Sequence, residues 1–124
     1  MVLAVDSSNP DALHLKGLVK FSLGDSESAT ALIEAAIANG GDMAIMGTNL
    51  GEVYRAARRF DDAEWMLVRS IEVDDRRTGG WNNLAQLYWE LGRLEDAAVC
   101  FDRAVQLEVR TGADPKRLDM KYSH

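Results

Sequence analysis

A step of 34 residues runs through the chain. Asn49 and Asn83, Leu50 and Leu84, Tyr54 and Tyr88, and Ala63 and Ala97 all stand that far apart, and Gly17, Gly51 and Ala85 form a three-member series. Gly24 and Gly92 lie two steps apart. A period of this length, with small residues and aromatics in phase, is the signature of stacked helical units that bury their apolar faces only against one another. It therefore constrains the fold more tightly than composition does, and it points to a surface that binds another protein.

The period divides the chain into blocks 10–43, 44–77 and 78–111, each reading as two helices. In the third block Trp81, Leu84, Ala85, Tyr88 and Leu91 recur at spacings of three and four, the mark of one helix face. Gly92-Arg93-Leu94 supplies a turn, because glycine takes the left-handed conformation that ends a helix. Glu95 and Asp96 then place negative charge at the next helix start, where it suits the dipole. Ala97, Phe101, Ala104 and Val105 form the buried stripe expected of that second helix. Leu50, Gly51, Tyr54, Ala63, Leu67, Ser70 and Ile71 repeat the scheme in the second block. The first block is looser: Leu13, Gly17, Phe21, Ala29, Ile33, Ala36 and Ile37. The spacing predicts helices over 11–23, 27–39, 44–57, 61–73, 78–91 and 95–110, with a short one after Pro115. Gly17, Gly51 and Ala85, with Ala29, Ala63 and Ala97, are expected where paired helices approach most closely.

These residues resemble the tetratricopeptide repeat (TPR) family, whose pattern is Trp-x2-Leu-Gly-x2-Tyr followed by an alanine, an aromatic, a second alanine and a proline. Trp81-x2-Leu84-Ala85-x2-Tyr88, with Gly92, Ala97, Phe101 and Ala104, is the best copy. Three registered copies cover about four fifths of the chain. The resemblance implies an all-α, right-handed α-solenoid of antiparallel helix hairpins. Several positions depart from the pattern. Lys16 and Lys20 replace Leu and Tyr, Gly47 replaces Trp, Arg58 replaces the turn glycine, and Ser70 replaces an alanine. Gly41, Asp75 and Val109 stand where the proline would close each repeat.

At 124 residues the chain is long enough for one core and too short for two domains. Residues 2–9 read as the tail of an upstream repeat, and 112–124 as a cap or the opening of a further repeat, with Asp114-Pro115 as a helix start. The chain thus reads as a segment of a longer array or a subunit of a larger complex.

The net charge of −6 and the lack of a basic face argue against nucleic acid, which requires displacement of phosphate counterions. The densest basic run, Arg55, Arg58 and Arg59, is followed at once by Asp61 and Asp62. No stretch of about 18 apolar residues is present to span a bilayer, and no signal peptide is evident. Cys100 is the single cysteine, consistent with a reducing, cytoplasmic setting.

Little in the chain suggests chemistry. His14 and His124 are far apart, and neither a phosphate loop nor a nucleophile elbow nor paired metal ligands occur. No cofactor and no enzymatic activity are expected. The acidic pairs Asp61-Asp62 and Asp74-Asp75 read as helix-start and loop charge, and Cys100 as a packing residue.

The TPR resemblance implies a concave groove lined by the first helix of each pair. Repeat phase assigns to it His14, Leu18 and Phe21, then Ile45, Thr48, Asn49, Glu52 and Arg55, then Asn82, Asn83, Gln86 and Trp89. Asn49 and Asn83 coincide with the family position whose amide holds a ligand backbone. Trp89 adjoins the buried Tyr88 and is expected to point outward as an anchor. A clamp for acidic C-terminal tails is not expected, because of His14, Leu18, Asn49, Gly79 and Asn83 at its positions only Asn49 fits. Ala31, Trp65 and Val99 share one phase of the second helices and define an alternative, convex surface. The leading function is a scaffold or adaptor that binds a peptide or protein in the groove. The alternatives are a secretion-type chaperone, or the accessory repeat region of a larger enzyme such as a glycosyltransferase or sulfotransferase.

Overall fold

The computed structural model describes residues 8–110 and contains six helices and no strand among them. They are α1 (Pro10–Ser22), α2 (Ser26–Ala38), α3 (Met43–Ala56), α4 (Phe60–Val73), α5 (Thr78–Glu90) and α6 (Leu94–Arg110). Each bound lies within one residue of the expected one. The segments expected before residue 8 and after Pro115 lie outside the described residues. The pairs α1–α2, α3–α4 and α5–α6 form tight hairpins, and α2 against α3 and α4 against α5 join them into an array.

Local chemistry explains where the helices start. Asn9, Asp25 and Asp42 each turn a side-chain oxygen onto a backbone N–H in the first turn of α1, α2 and α3, at 3.0, 3.0 and 2.9 Å. Such caps satisfy donors that a helix start leaves without partners. Within each hairpin the turn closes by a long backbone bond. The N–H of Asp25, Arg59 and Arg93 donates to the carbonyl of Lys20, Tyr54 and Tyr88 at 2.9, 2.8 and 2.8 Å. This geometry places the preceding residue in the left-handed region.

Gly24 and Gly92 adopt φ +85° and +79° there at no steric cost, whereas Arg58 is held at +64°. The strain expected from the sequence is thus present, at roughly 1–2 kcal/mol. Arg58→Gly is expected to stabilise the protein by about 1 kcal/mol once the greater freedom of glycine in the unfolded chain is subtracted. A higher melting temperature would show this. A drop would mean that the Arg58 guanidinium, 5.2 Å from the Phe60 ring centre, contributes more than the strain costs.

The core runs through the hairpins. Ile33, Leu50, Val53, Leu67 and Leu87 are fully buried, with Ala29, Ala63, Ala85 and Ala97 packed between them. The expected close approaches are present. A Cβ on Gly17 would stand 2.6 Å from Ile33 Cγ1, and one on Gly51 would stand 2.5 Å from Leu67 Cγ. Ala63→Leu and Ala97→Leu are each expected to cost about 1–3 kcal/mol, because no space exists for the added carbons. Denaturant titration measures this, and neutral results at both would contradict the packing register.

Two departures from the repeat pattern compensate one another. Gly47 stands where tryptophan is usual, and a Cβ there would meet Met43 Sδ at 2.8 Å and Met66 Sδ and Ser70 Cβ at 3.4 Å. The two thioethers and Ser70 therefore occupy the space beside this residue. Ser70, in place of alanine, brings its hydroxyl to 2.6 Å from Thr48 Oγ1, and both hydroxyls reach the Ala44 carbonyl, at 2.7 and 2.8 Å.

The sequence reading of α6 is corrected in part. Ala97 and Ala104 are buried, but Phe101 and Val105 remain 39% and 59% exposed. Their counterparts one period earlier, Leu67 and Ile71, are buried. α5 packs on α4, and no described helix follows α6.

Candidate functional site: a concave groove

Two polar bridges tie the first helices of successive hairpins together, both between residues 35 apart. The Asn49 amide nitrogen on α3 lies 2.8 Å from His14 Nε2 on α1. Arg55 Nη1 on α3 donates to Glu90 Oε1 on α5 at 2.8 Å, and Arg55 also pairs with Glu52.

An amide N–H only donates, so His14 Nε2 accepts and the ring is neutral, with its proton on Nδ1. Burial lowers the pKa of His14 from 6.5, against a smaller opposing pull from Asp11. The unfolded chain therefore takes up a proton before the folded one does. The contribution of this residue to stability is present above 6.5 and is lost as pH falls below it. The melting temperature of the native chain should drop more between pH 7.5 and pH 5.5 than that of His14→Gln. Parallel profiles would contradict the assignment. Such a drop would also loosen the groove, since protonated Nε2 cannot accept from Asn49.

Arg55 sits between two carboxylates. The hydrogen bond to Glu52, then the one to Glu90, raise its pKa beyond the ordinary range, and it stays charged. One cation between two anions leaves this part of the groove without a spare positive charge for a ligand carboxylate. Beside it, Arg55, Gln86, Trp89 and Glu90 line a shallow cavity of about 310 Å³. Trp89 is 67% exposed, whereas the preceding Leu87 and Tyr88 are buried. The indole thus projects from the scaffold, as expected.

The remaining expected residues divide. Ile45, Asn82 and Gln86 are exposed, and Glu52, Arg55, Asn49 and Asn83 are half-buried. Asn83 makes no hydrogen bond to another of the described residues. Leu18 and Phe21 are half-buried and packed against the core, which leaves each a part of its surface. His14 is buried and engaged with Asn49. Thr48 is buried too, with its hydroxyl turned to Ala44 and Ser70 rather than outward. The helical step from Asn49 places it toward α4.

On the other face Ala31, Trp65 and Val99 are all exposed. The Arg69 guanidinium covers the Trp65 ring at 5.1 Å. A cavity of about 410 Å³ there is lined by Asp61, Glu64, Trp65, Val68, Arg69 and Glu72. Ala31 lines a separate depression with Glu27, Thr30 and Arg59.

Sequence reasoning missed a polar cluster beside the α3–α4 turn and another beside the α5–α6 turn. Tyr54 donates to Glu34, and Tyr88 donates to Glu64 at 2.7 Å. The Arg59 and Arg93 guanidinium groups stack on those rings at 4.5 and 4.2 Å, and pair with Asp62 and Asp96. Burial, then the bond to the carboxylate, push both phenols well above their usual pKa. A signal was present, because Arg59 and Arg93, like Asp62 and Asp96, are 34 residues apart. Cys100 is buried, and burial raises the pKa of its thiol away from the reactive thiolate form. Among the described residues no group of three His, Cys, Asp or Glu side chains could hold a metal ion, and no helix is long and apolar enough to cross a membrane.

Comparison with known proteins follows the same pattern. Two family models described as tetratricopeptide repeat match, one over residues 14–76 and one over 80–108. No curated protein matches the sequence. Among solved structures, MamA is 21% identical with a TM-score of 0.79, over 86% of this chain and 62% of that one. The chain thus spans about three fifths of that protein's length. The second TPR of Spaghetti (RPAP3), bound to the HSP90 peptide SRMEEVD, is 22% identical with a TM-score of 0.75, over 82% of this chain and 89% of that one. The Arabidopsis OM64 TPR domain is 19% identical with a TM-score of 0.78, over 84% and 86%. At these identities the likeness concerns the fold.

Proposed function

The chain belongs to the tetratricopeptide repeat family, and from that premise we propose that it is a non-enzymatic scaffold or adaptor that holds an extended protein segment in its concave groove. The observation that carries this reading is Trp89, a large indole held out of a well-packed helix beside Arg55 and Gln86. An exposed aromatic on a rigid element loses little freedom on binding, and such residues dominate interface energies. Asn83, and the carbonyl side of Asn49, supply hydrogen bonds for a ligand backbone. Ile45 and the outer parts of Leu18 and Phe21 extend the apolar surface.

The ligand chemistry follows from the charges. The second TPR of Spaghetti holds a peptide ending in Glu-Glu-Val-Asp. Here Arg55 is already matched by Glu52 and Glu90, and Asn83, Gly79, Leu18 and His14 bring no cation. The groove therefore favours a neutral or weakly basic segment with an apolar anchor over an acidic tail. Photo-crosslinking tests the location. A benzophenone side chain at Gln86 should capture a native partner in cells, and one at Trp65 should not. Capture from Trp65 alone would move the site to the convex face.

A further inference from the structure

Beside the α3–α4 turn the repeat changes from large residues to small ones at a single place. Thr30, Ala31 and Ala57 stand one period before Glu64, Trp65 and Leu91. With Glu27, Glu34 and Arg59 they line a depression of about 400 Å³ that reaches from α2 to the turn. The cavity beside Trp65, one period on, is lined by α4 alone.

The charges differ as well. At the α4–α5 junction the carboxylate that accepts from Tyr88 is Glu64, and Arg93 pairs with it at 3.1 Å. At the α2–α3 junction Thr30 stands in that place, and the carboxylate that accepts from Tyr54 is Glu34, one helical turn further on. Arg59, the counterpart of Arg93, is matched by Asp62. Neither Glu27 nor Glu34 forms an ion pair with another of the described residues. The second helices around the depression are acidic throughout: α2 and α4 hold six carboxylates against the single guanidinium of Arg69, whereas α1, α3 and α5 hold three charges of each sign.

We propose that this depression docks an arginine side chain presented by a partner protein, its aliphatic stem on Ala31 and Ala57 and its guanidinium between Glu27 and Glu34. The small residues leave room for the stem, and the two uncompensated carboxylates select a cation. Arginine fits better than lysine, because its planar fork bonds carboxylates in pairs and it sheds water more readily. The site shares no lining residue with the cavity beside Trp89 and is independent of the groove reading.

NMR titration of the full-length chain with acetyl-arginine N-methylamide tests this. The backbone amide signals of Ala31 and Ala57 should shift saturably. Acetyl-citrulline N-methylamide, of the same shape but uncharged, should leave them in place. Glu27→Gln combined with Glu34→Gln should weaken binding by about tenfold or more, as loss of hydrogen bonds between charged groups does. Glutamine still accepts from Tyr54, so helix content should stay native. Ala31→Trp, which introduces the residue found one period on, should fill the depression and abolish the shifts. In cells, a benzophenone side chain at Ser26, which also lines the depression, should capture a protein, and Glu27→Gln should reduce that capture. Absence of shifts overturns the proposal, as do equal shifts with the citrulline compound, shifts spread evenly over Asp61, Glu64 and Glu72, or unchanged binding by the double glutamine variant. Capture that ignores Glu27→Gln overturns it too, as does a crosslink from Ser26 to the chain itself, since the depression would then be covered from within.

Discussion

Leu67→Ala is expected to lower the unfolding free energy by about 2–5 kcal/mol. The Leu67 side chain is fully buried on α4 and fills the space that Gly51 on α3 leaves by having no Cβ. Truncation would remove three carbons from a place where no neighbour can follow, because α3 and α4 are held by the turn at Arg58 and by the Thr48–Ser70 contact. The resulting cavity adds to the lost transfer energy. Urea titration of the native and mutant chains measures the difference. Phe101→Ala makes a useful comparison, since Phe101 shares the repeat phase of Leu67 but lies at the open edge of α6. It should cost clearly less. Equal losses would mean that burial does not set the energetics of this phase.

Trp89→Ala is expected to weaken partner binding at least tenfold while leaving helix content unchanged. A central aromatic anchor commonly contributes about 2 kcal/mol or more, which exceeds the tenfold threshold. Stability should hardly change, because the indole is mostly in solvent and Tyr88, Leu87 and Leu84 carry the packing of α5. This separation gives the prediction its value. A variant that binds poorly because it has unfolded would show in the circular dichroism spectrum, and one that binds normally would remove Trp89 from the site.

The arrangement of helices was legible because the repeat period and the helix period are both strong signals. Gly24 and Gly92 marked two hairpin turns, and their phase located the third at Arg58, where the positive φ is observed. Trp89 was legible for a related reason: with Tyr88 committed to the core, the next residue on a helix must face elsewhere. The bridges were less legible. His14–Asn49 and Arg55–Glu90 join residues one position out of phase, so a search at the period itself passes over them. Thr48 was assigned to the groove by phase. Its burial depends on Ser70 and Gly47, local substitutions that draw the hydroxyl inward. Phe101 and Val105 matched the pattern of a buried stripe. Whether such a stripe is covered depends on a neighbouring helix, which periodicity within one helix does not reveal.

Selection of a random peptide library on the native chain, followed by titration of the enriched peptide against variants, tests the groove most directly. The account predicts peptides with an apolar anchor and no acidic C-terminal run. It predicts that Trp89→Ala combined with Asn49→Ala and Asn83→Ala abolishes their binding while Trp65→Ala leaves it intact. Undiminished binding by the triple variant, or loss on Trp65→Ala alone, would contradict the groove and place recognition on the convex face.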